Sequence, residues 1–172
     1  MLPKRKSPRL PNHDYACGWY FVTICTKDKR YSLGTVVGGD AHIAPHMALS
    51  NIGSVAEMYL KRIPGIDTYV VMPNHIHFIL SICGEGGPSR TPAPTNESLP
   101  GHGSSRTPTP TNARLPAFLS AWKRLTNKKA GFSLWQRGYY DHIIRCELDY
   151  LRIWQYMDEN PVRWTEDEYY FE

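Results

Sequence analysis

The sequence predicts an α+β domain, an antiparallel sheet with helices packed on one face, and three observations carry that expectation. First, GWYFVTICT (18–26), TYVVMP (68–73) and HIHFILSI (75–82) are dense in β-branched and aromatic residues, the composition of half-buried strands. Second, three other stretches place apolar residues three and four apart, the period of an amphipathic helix. Third, the segments follow the order strand, hairpin, helix, two strands, helix, strand, helix, which suits a ferredoxin-like split, the topology RRM-like modules share, and not a parallel sheet.

Taken in order, residues 1–15 carry Lys4, Arg5, Lys6 and Arg9 among three prolines, and read as an extended basic arm, a solvated tail or a phosphate contact. After the first strand, Lys27 to Arg30 is a polar turn and Gly38-Gly39-Asp40 marks a second. From His46 to Arg62, Met47, Leu49, Ile52, Val55, Met58 and Tyr59 recur at helical spacing and stop before Pro64-Gly65, which predicts a helix. Pro73-Asn74 splits the next two strands as a hairpin turn, with Tyr69, Val71, His75 and His77 all at odd positions. Residues 84–116 collapse into Gly, Pro, Ser and Thr and repeat SRTPAPTN (89–96) as SRTPTPTN (105–112). Such a stretch buries too little apolar surface to offset the entropy of ordering, so a disordered insertion is expected within one domain of residues 1–172.

Residues 116–129 then form a helix that Gly131 ends, residues 133–145 a short strand or irregular segment, and residues 147–160 a last helix that Pro161 closes.

The chain of 172 residues, 41% hydrophobic, suffices for one core. With 20 Lys and Arg against 16 Asp and Glu, the net charge of +4 permits nucleic acid without establishing it. Cys17, Cys25, Cys83 and Cys146 are scattered, with no CxxC pair, and are expected to be reduced in a cytoplasmic protein. No apolar leader and no run of eighteen apolar residues occur, so neither export nor a membrane partner is expected.

Residues two apart on a strand share a face, so His75 and His77 can address one cation while Ile76 enters the core. Alone, the pair is equally two ordinary sheet-face histidines. On the last helix, Tyr156 and Asn160 stand one turn apart on a common face. Packed over the histidine strand, that face offers an amide oxygen as third ligand and a phenol beside a polarised phosphate. The plainer alternative is a core tyrosine and a helix-terminal asparagine, and spacing leaves both open.

DYACGWYFVTICTKDKR, YVVMPNHIHFIL, LWQRGYYDHIIR and YMDENPVRWTEDEYY, in that order, resemble blocks of the REP-associated tyrosine transposases, relatives of the single-tyrosine transposases of bacterial insertion sequences. The resemblance covers nearly the whole chain outside residues 84–116. It implies a divalent metal, Mg²⁺ or Mn²⁺, held by His75, His77 and Asn160, and Tyr156 as nucleophile. It further implies cleavage and rejoining of single-stranded DNA hairpins of the REP type through a 5′-phosphotyrosine, by a bacterial cytoplasmic monomer or homodimer.

Tyr139 and Tyr140, beside Asp141, His142 and Arg145, form a rival patch, but the family pattern places the nucleophile one turn before Asn-Pro. Trp135, Gln136 and Arg137 pack the core or touch DNA. Lys123, Arg124, Lys128 and Lys129 make a basic helix face, and Arg145, Arg152 and Arg163 flank the expected site, all as candidate DNA contacts. Two other readings stand: a non-catalytic RRM-like binder that stacks bases on Trp19, Tyr20 and Phe21, and a metal-dependent nuclease that uses activated water.

Overall fold

The computed structural model describes residues 17–39, 43–82 and 114–171. The basic arm and the repeat-bearing segment expected at 1–15 and 84–116 therefore fall outside the described residues, except that residues 114–116 already belong to a helix. Pro116 is compatible with that helix because it occupies the first turn, where its missing N–H is no loss.

Among the described residues six strands and three α-helices follow one another: β1 (Trp19–Cys25), β2 (Gly34–Val37), β3 (His46–Leu49), α1 (Asn51–Leu60), β4 (Ile66–Val71), β5 (His75–Ser81), α2 (Arg114–Ala130), β6 (Tyr140–Ile144) and α3 (Glu147–Glu159). The main sheet has the order β4-β5-β1-β6 and every neighbouring pair is antiparallel. With the small β2-β3 hairpin set aside, this is the strand order of the split βαββαβ fold that the sequence predicted.

Strand alternation divides the sheet into two faces. Tyr20, Val22 and Ile24 of β1 and Ile76, Phe78 and Leu80 of β5 join Ala56 and Leu60 of α1 and Leu115, Leu119 and Trp122 of α2 in the main core. The antiparallel sheet thus has α1 and α2 packed on one face. The helix α3 takes the other, where Ile153 and Met157 close over Phe21 and Ile79. That covers the face an open, base-stacking RRM-like sheet would present, and Tyr20 and Phe21 are buried.

Two sequence readings change. Residues 46–49 are not helical: they pair with β2, and the helix starts at Ser50, whose hydroxyl accepts the Gly53 N–H at 3.0 Å. An N-cap of this kind fixes the first turn against the pull of the apolar spacing upstream. Gly53 then has to be glycine, because a Cβ there would lie 1.9 Å from the Leu33 carbonyl oxygen. The odd-numbered residues of the β4-β5 hairpin lie on two faces. The register pairs Val70 with His77 and Val71 with Ile76, so the Pro73-Asn74 turn inverts the parity and sends Tyr69 and Val71 to the α1 side. Finally, Cys17 is disulfide-bonded while Cys25 and Cys146 are free, a correction to four reduced thiols; Cys83 lies outside the described residues.

No helix among the described residues is long and apolar enough to cross a membrane.

Candidate metal and nucleophile site

The site forms where β1, β5, α3 and the segment after α3 meet. Both histidines project from the α3 face of β5 and are almost completely buried. Each is held through its Nδ1. The Asn74 side-chain oxygen lies 2.8 Å from His75 Nδ1, and the Asn74 amide nitrogen donates to the Tyr169 carbonyl at 2.8 Å, so His75 Nδ1 carries the proton and donates it. Thr23, opposite His77 in the β1-β5 register, brings its hydroxyl to 2.8 Å from His77 Nδ1. These contacts engage both Nδ1 atoms and leave both Nε2 atoms to face the site, as outer partners of metal-binding histidines do.

Burial lowers the pKa of His75 well below its ordinary value, with His77 and then Lys29 adding repulsion, and burial pushes His77 down to about 3. Both rings are therefore neutral and able to ligate at physiological pH.

Tyr156 reaches over from α3 with its hydroxyl 3.3 Å from His77 Nε2 and its ring 5.3 Å from the His77 ring. Asn160, the C-cap of α3, is buried beneath it. Asp167 follows the 3₁₀ turn at Trp164–Glu166 and closes the site. One donor atom from each of His75, His77 and Asp167 lies within 4.8 Å of the others. Among the described residues no other group of three such side chains comes together in this way. Burial raises the Asp167 pKa, opposed by the Tyr169 N–H at 2.7 Å and by bonds from Asn160 and Tyr156. Burial also raises the Tyr156 phenol, as does the Asp167 charge, while the bond from Asn160 opposes them.

Do these residues fit a cation? His75 Nε2 and Asn160 Oδ1 are buried acceptors with no hydrogen-bond partner. Orphaned buried acceptors cost on the order of 1–3 kcal/mol each, and a cation among them removes that cost. The donor set of two imidazole nitrogens, a carboxylate and an amide oxygen has the chemistry of a divalent-cation site.

The expected site residues divide clearly. His75, His77, Tyr156 and Asn160 come together. Arg124, Lys128 and Lys129 are exposed on α2, whose buried side faces the opposite core from the histidines, and Lys123 is turned into a separate cavity. Arg145 and Arg152 are exposed at the α3 side, and Arg163 is paired with Glu159 and Glu166. The rival patch disperses. Tyr139 packs against the main core, and His142 bonds Asp149 at 2.9 Å. Trp135 is buried against Trp122, with its indole N–H on Thr126, which assigns it to the core.

Sequence reasoning missed Asp167, Asn74, Thr23 and Tyr169, whose ring lies 4.5 Å from that of His75. Asn74 was legible only as a turn residue. Nothing in the run Glu166-Asp167-Glu168 singles out its middle carboxylate before the chain is folded back over β5.

No family model matches the chain. Among solved structures, a REP-associated tyrosine transposase bound to a REP hairpin superposes with a TM-score of 0.50 at 17% identity, over 95% of this chain and 74% of that one. At that identity the likeness shows a shared fold. Among curated proteins, an uncharacterized protein of Haemophilus influenzae is 34% identical over 175 aligned residues, covering 96% of this chain and 93% of the relative. With that identity along nearly the whole of both chains, this chain belongs to the family of the Haemophilus influenzae protein.

Proposed function

We propose that the chain is a metal-dependent, single-tyrosine DNA transposase of the REP-associated type, which cuts and rejoins single-stranded DNA hairpins. The observation that carries this reading is the Tyr156 hydroxyl 3.3 Å from His77 Nε2, inside the cluster of His75, His77 and Asp167. The shared fold with a transposase bound to a REP hairpin supports the substrate class.

In this reading His75, His77 and Asn160 hold the cation, with Asp167 as a further oxygen donor, and Tyr156 attacks. A bound Mg²⁺ or Mn²⁺ supplies polarisation and positioning of the scissile phosphate. The Tyr156 oxygen forms a bond to phosphorus, the bond to the 3′-oxygen breaks, and the phenol proton passes to the Asp167 carboxylate that bonds it. The product is a 5′-phosphotyrosine with a free 3′-OH, which can reverse the step without ATP because the ester energy stays in the link. The Tyr156 hydroxyl reaches His77 within a single copy of the chain, so in this reading cleavage is in cis.

The test is a denaturing gel of end-labelled hairpin DNA incubated with the protein and Mg²⁺ or Mn²⁺. Wild type should form a covalent adduct and Tyr156→Phe none, while DNA affinity stays within about twofold. An adduct in Tyr156→Phe overturns the assignment of the nucleophile, and cleavage without any adduct favours activated water.

A further inference from the structure

At the C-terminal end of β1, away from the histidines, an open cavity of about 730 Å³ is lined by Lys27, Lys123, Asn127, Gln136 and Arg137, with Asp28 as the single acid among its lining residues. Asp28 already faces Arg30 at 3.9 Å. The Lys123 ammonium donates to the carbonyls of Gln136 and Gly138 at 2.8 and 2.6 Å, which ties α2 to the loop that forms the cavity wall. It has no carboxylate within ion-pair distance among the described residues. Burial pushes its pKa down to about 8, the response of a cation that lacks a counterion. An ammonium has three N–H donors, so one remains for an anion entering the cavity.

The same backbone joins this cavity to the metal site. The Gln136 N–H donates to the Cys25 carbonyl and the Lys27 N–H to that of Leu134, while Cys25 faces His75 in the β1-β5 register and the Thr26 N–H donates to Asn74. The wall residue Gln136 is thus two strand spacings, about 10 Å, from the backbone of His75. Lys29, between the two, places its ammonium 5.5 Å over the Tyr169 ring.

We propose that this cavity is a nucleotide subsite for single-stranded DNA, with the phosphate held by Lys27, Lys123 and Arg137 and the base edge met by the amides of Gln136 and Asn127. It rests on the transposase reading, and adds that the strand next to the scissile phosphate is gripped on the far side of β1. The Asn127 oxygen accepts the Leu134 N–H at 2.8 Å, so its amide N–H₂ is the group turned to the ligand.

The experiment is fluorescence anisotropy with a labelled single-stranded hairpin in EDTA, where the metal site contributes little, comparing wild type with Lys27→Ala/Arg137→Ala and with Lys61→Ala/Arg62→Ala at the end of α1. The cavity double variant should bind at least tenfold more weakly, with a log–log salt slope shallower by about 1.4, as two lost phosphate contacts predict for single strands. The α1 pair should change affinity by less than threefold. Gln136→Ala should leave the salt slope unchanged and alter the preferred base at one position of a randomised single-stranded library. If wild type binds no DNA, the transposase reading falls with the subsite. Binding by wild type that the cavity variant matches, equal losses in both double variants, or an unchanged base preference in Gln136→Ala overturns the subsite alone.

Discussion

Asn74 shows how much of the site depends on one side chain outside the candidate ligand set. Its oxygen takes the proton of His75 Nδ1 and its nitrogen bonds the Tyr169 carbonyl, so one amide sets a tautomer and anchors the closing segment. Asn74→Ala should weaken Mn²⁺ binding about 10–100-fold, the usual effect of removing such a partner. Titration calorimetry or Mn²⁺ electron paramagnetic resonance reads this directly, and an unchanged affinity would show that the orientation of His75 is fixed elsewhere. The histidine pKa values make a second residue-level prediction. Because burial keeps both rings neutral well below pH 6.5, Mn²⁺ affinity should change by less than about threefold between pH 8 and 6.5. Histidines of ordinary pKa would be half protonated at the lower end and would lose affinity by more than that.

At the scale of elements, the hairpin and helices were legible because periodicity and turn residues speak for local structure. Pro73-Asn74 marked the β4-β5 turn, and Pro161 marked the end of α3. What failed depended on partners distant in sequence. Residues 46–49 have helical spacing, yet β2 supplies a pairing edge that no local pattern announces. The same holds at the site: the histidine pair, Tyr156 and Asn160 followed from strand and helix periods and from the family resemblance, whereas Asp167 joins them only by tertiary folding. Gly53 gives a test of that tertiary control. Helix propensity favours Gly53→Ala by about 0.5–1 kcal/mol. The approach of Leu33 should reverse the sign and cost several kcal/mol, measured as a lower urea midpoint at unchanged m-value.

For the whole molecule, the two buried neutral histidines couple stability to acidity. Their folded pKa values lie below the unfolded value near 6.5, so their contribution is complete above that pH. It is lost as pH falls toward the folded values, by up to about 1.4 kcal/mol per unit for each ring. Metal-free protein should therefore unfold at markedly lower urea at pH 5 than at pH 7, and His77→Asn should flatten that dependence. Saturating Mn²⁺ should raise the melting temperature at pH 7, because the proposed ligands come together only in the folded arrangement.

The placement of α3 on its own face carries a consequence for how the molecule comes apart. Among the described residues the main core gathers eighteen buried hydrophobic residues, whereas the buried apolar cluster between α3 and the sheet gathers four, two of them from α3. Local opening free energies scale with such contacts, so α3 is expected to open as a separate, weaker cooperative unit. In native-state hydrogen exchange its amides should lose protection at lower denaturant than those of β1 and β5. Tyr156 would then leave the histidines while the rest of the sheet stays folded, and in the proposed reaction adduct formation would vanish before the protein unfolds.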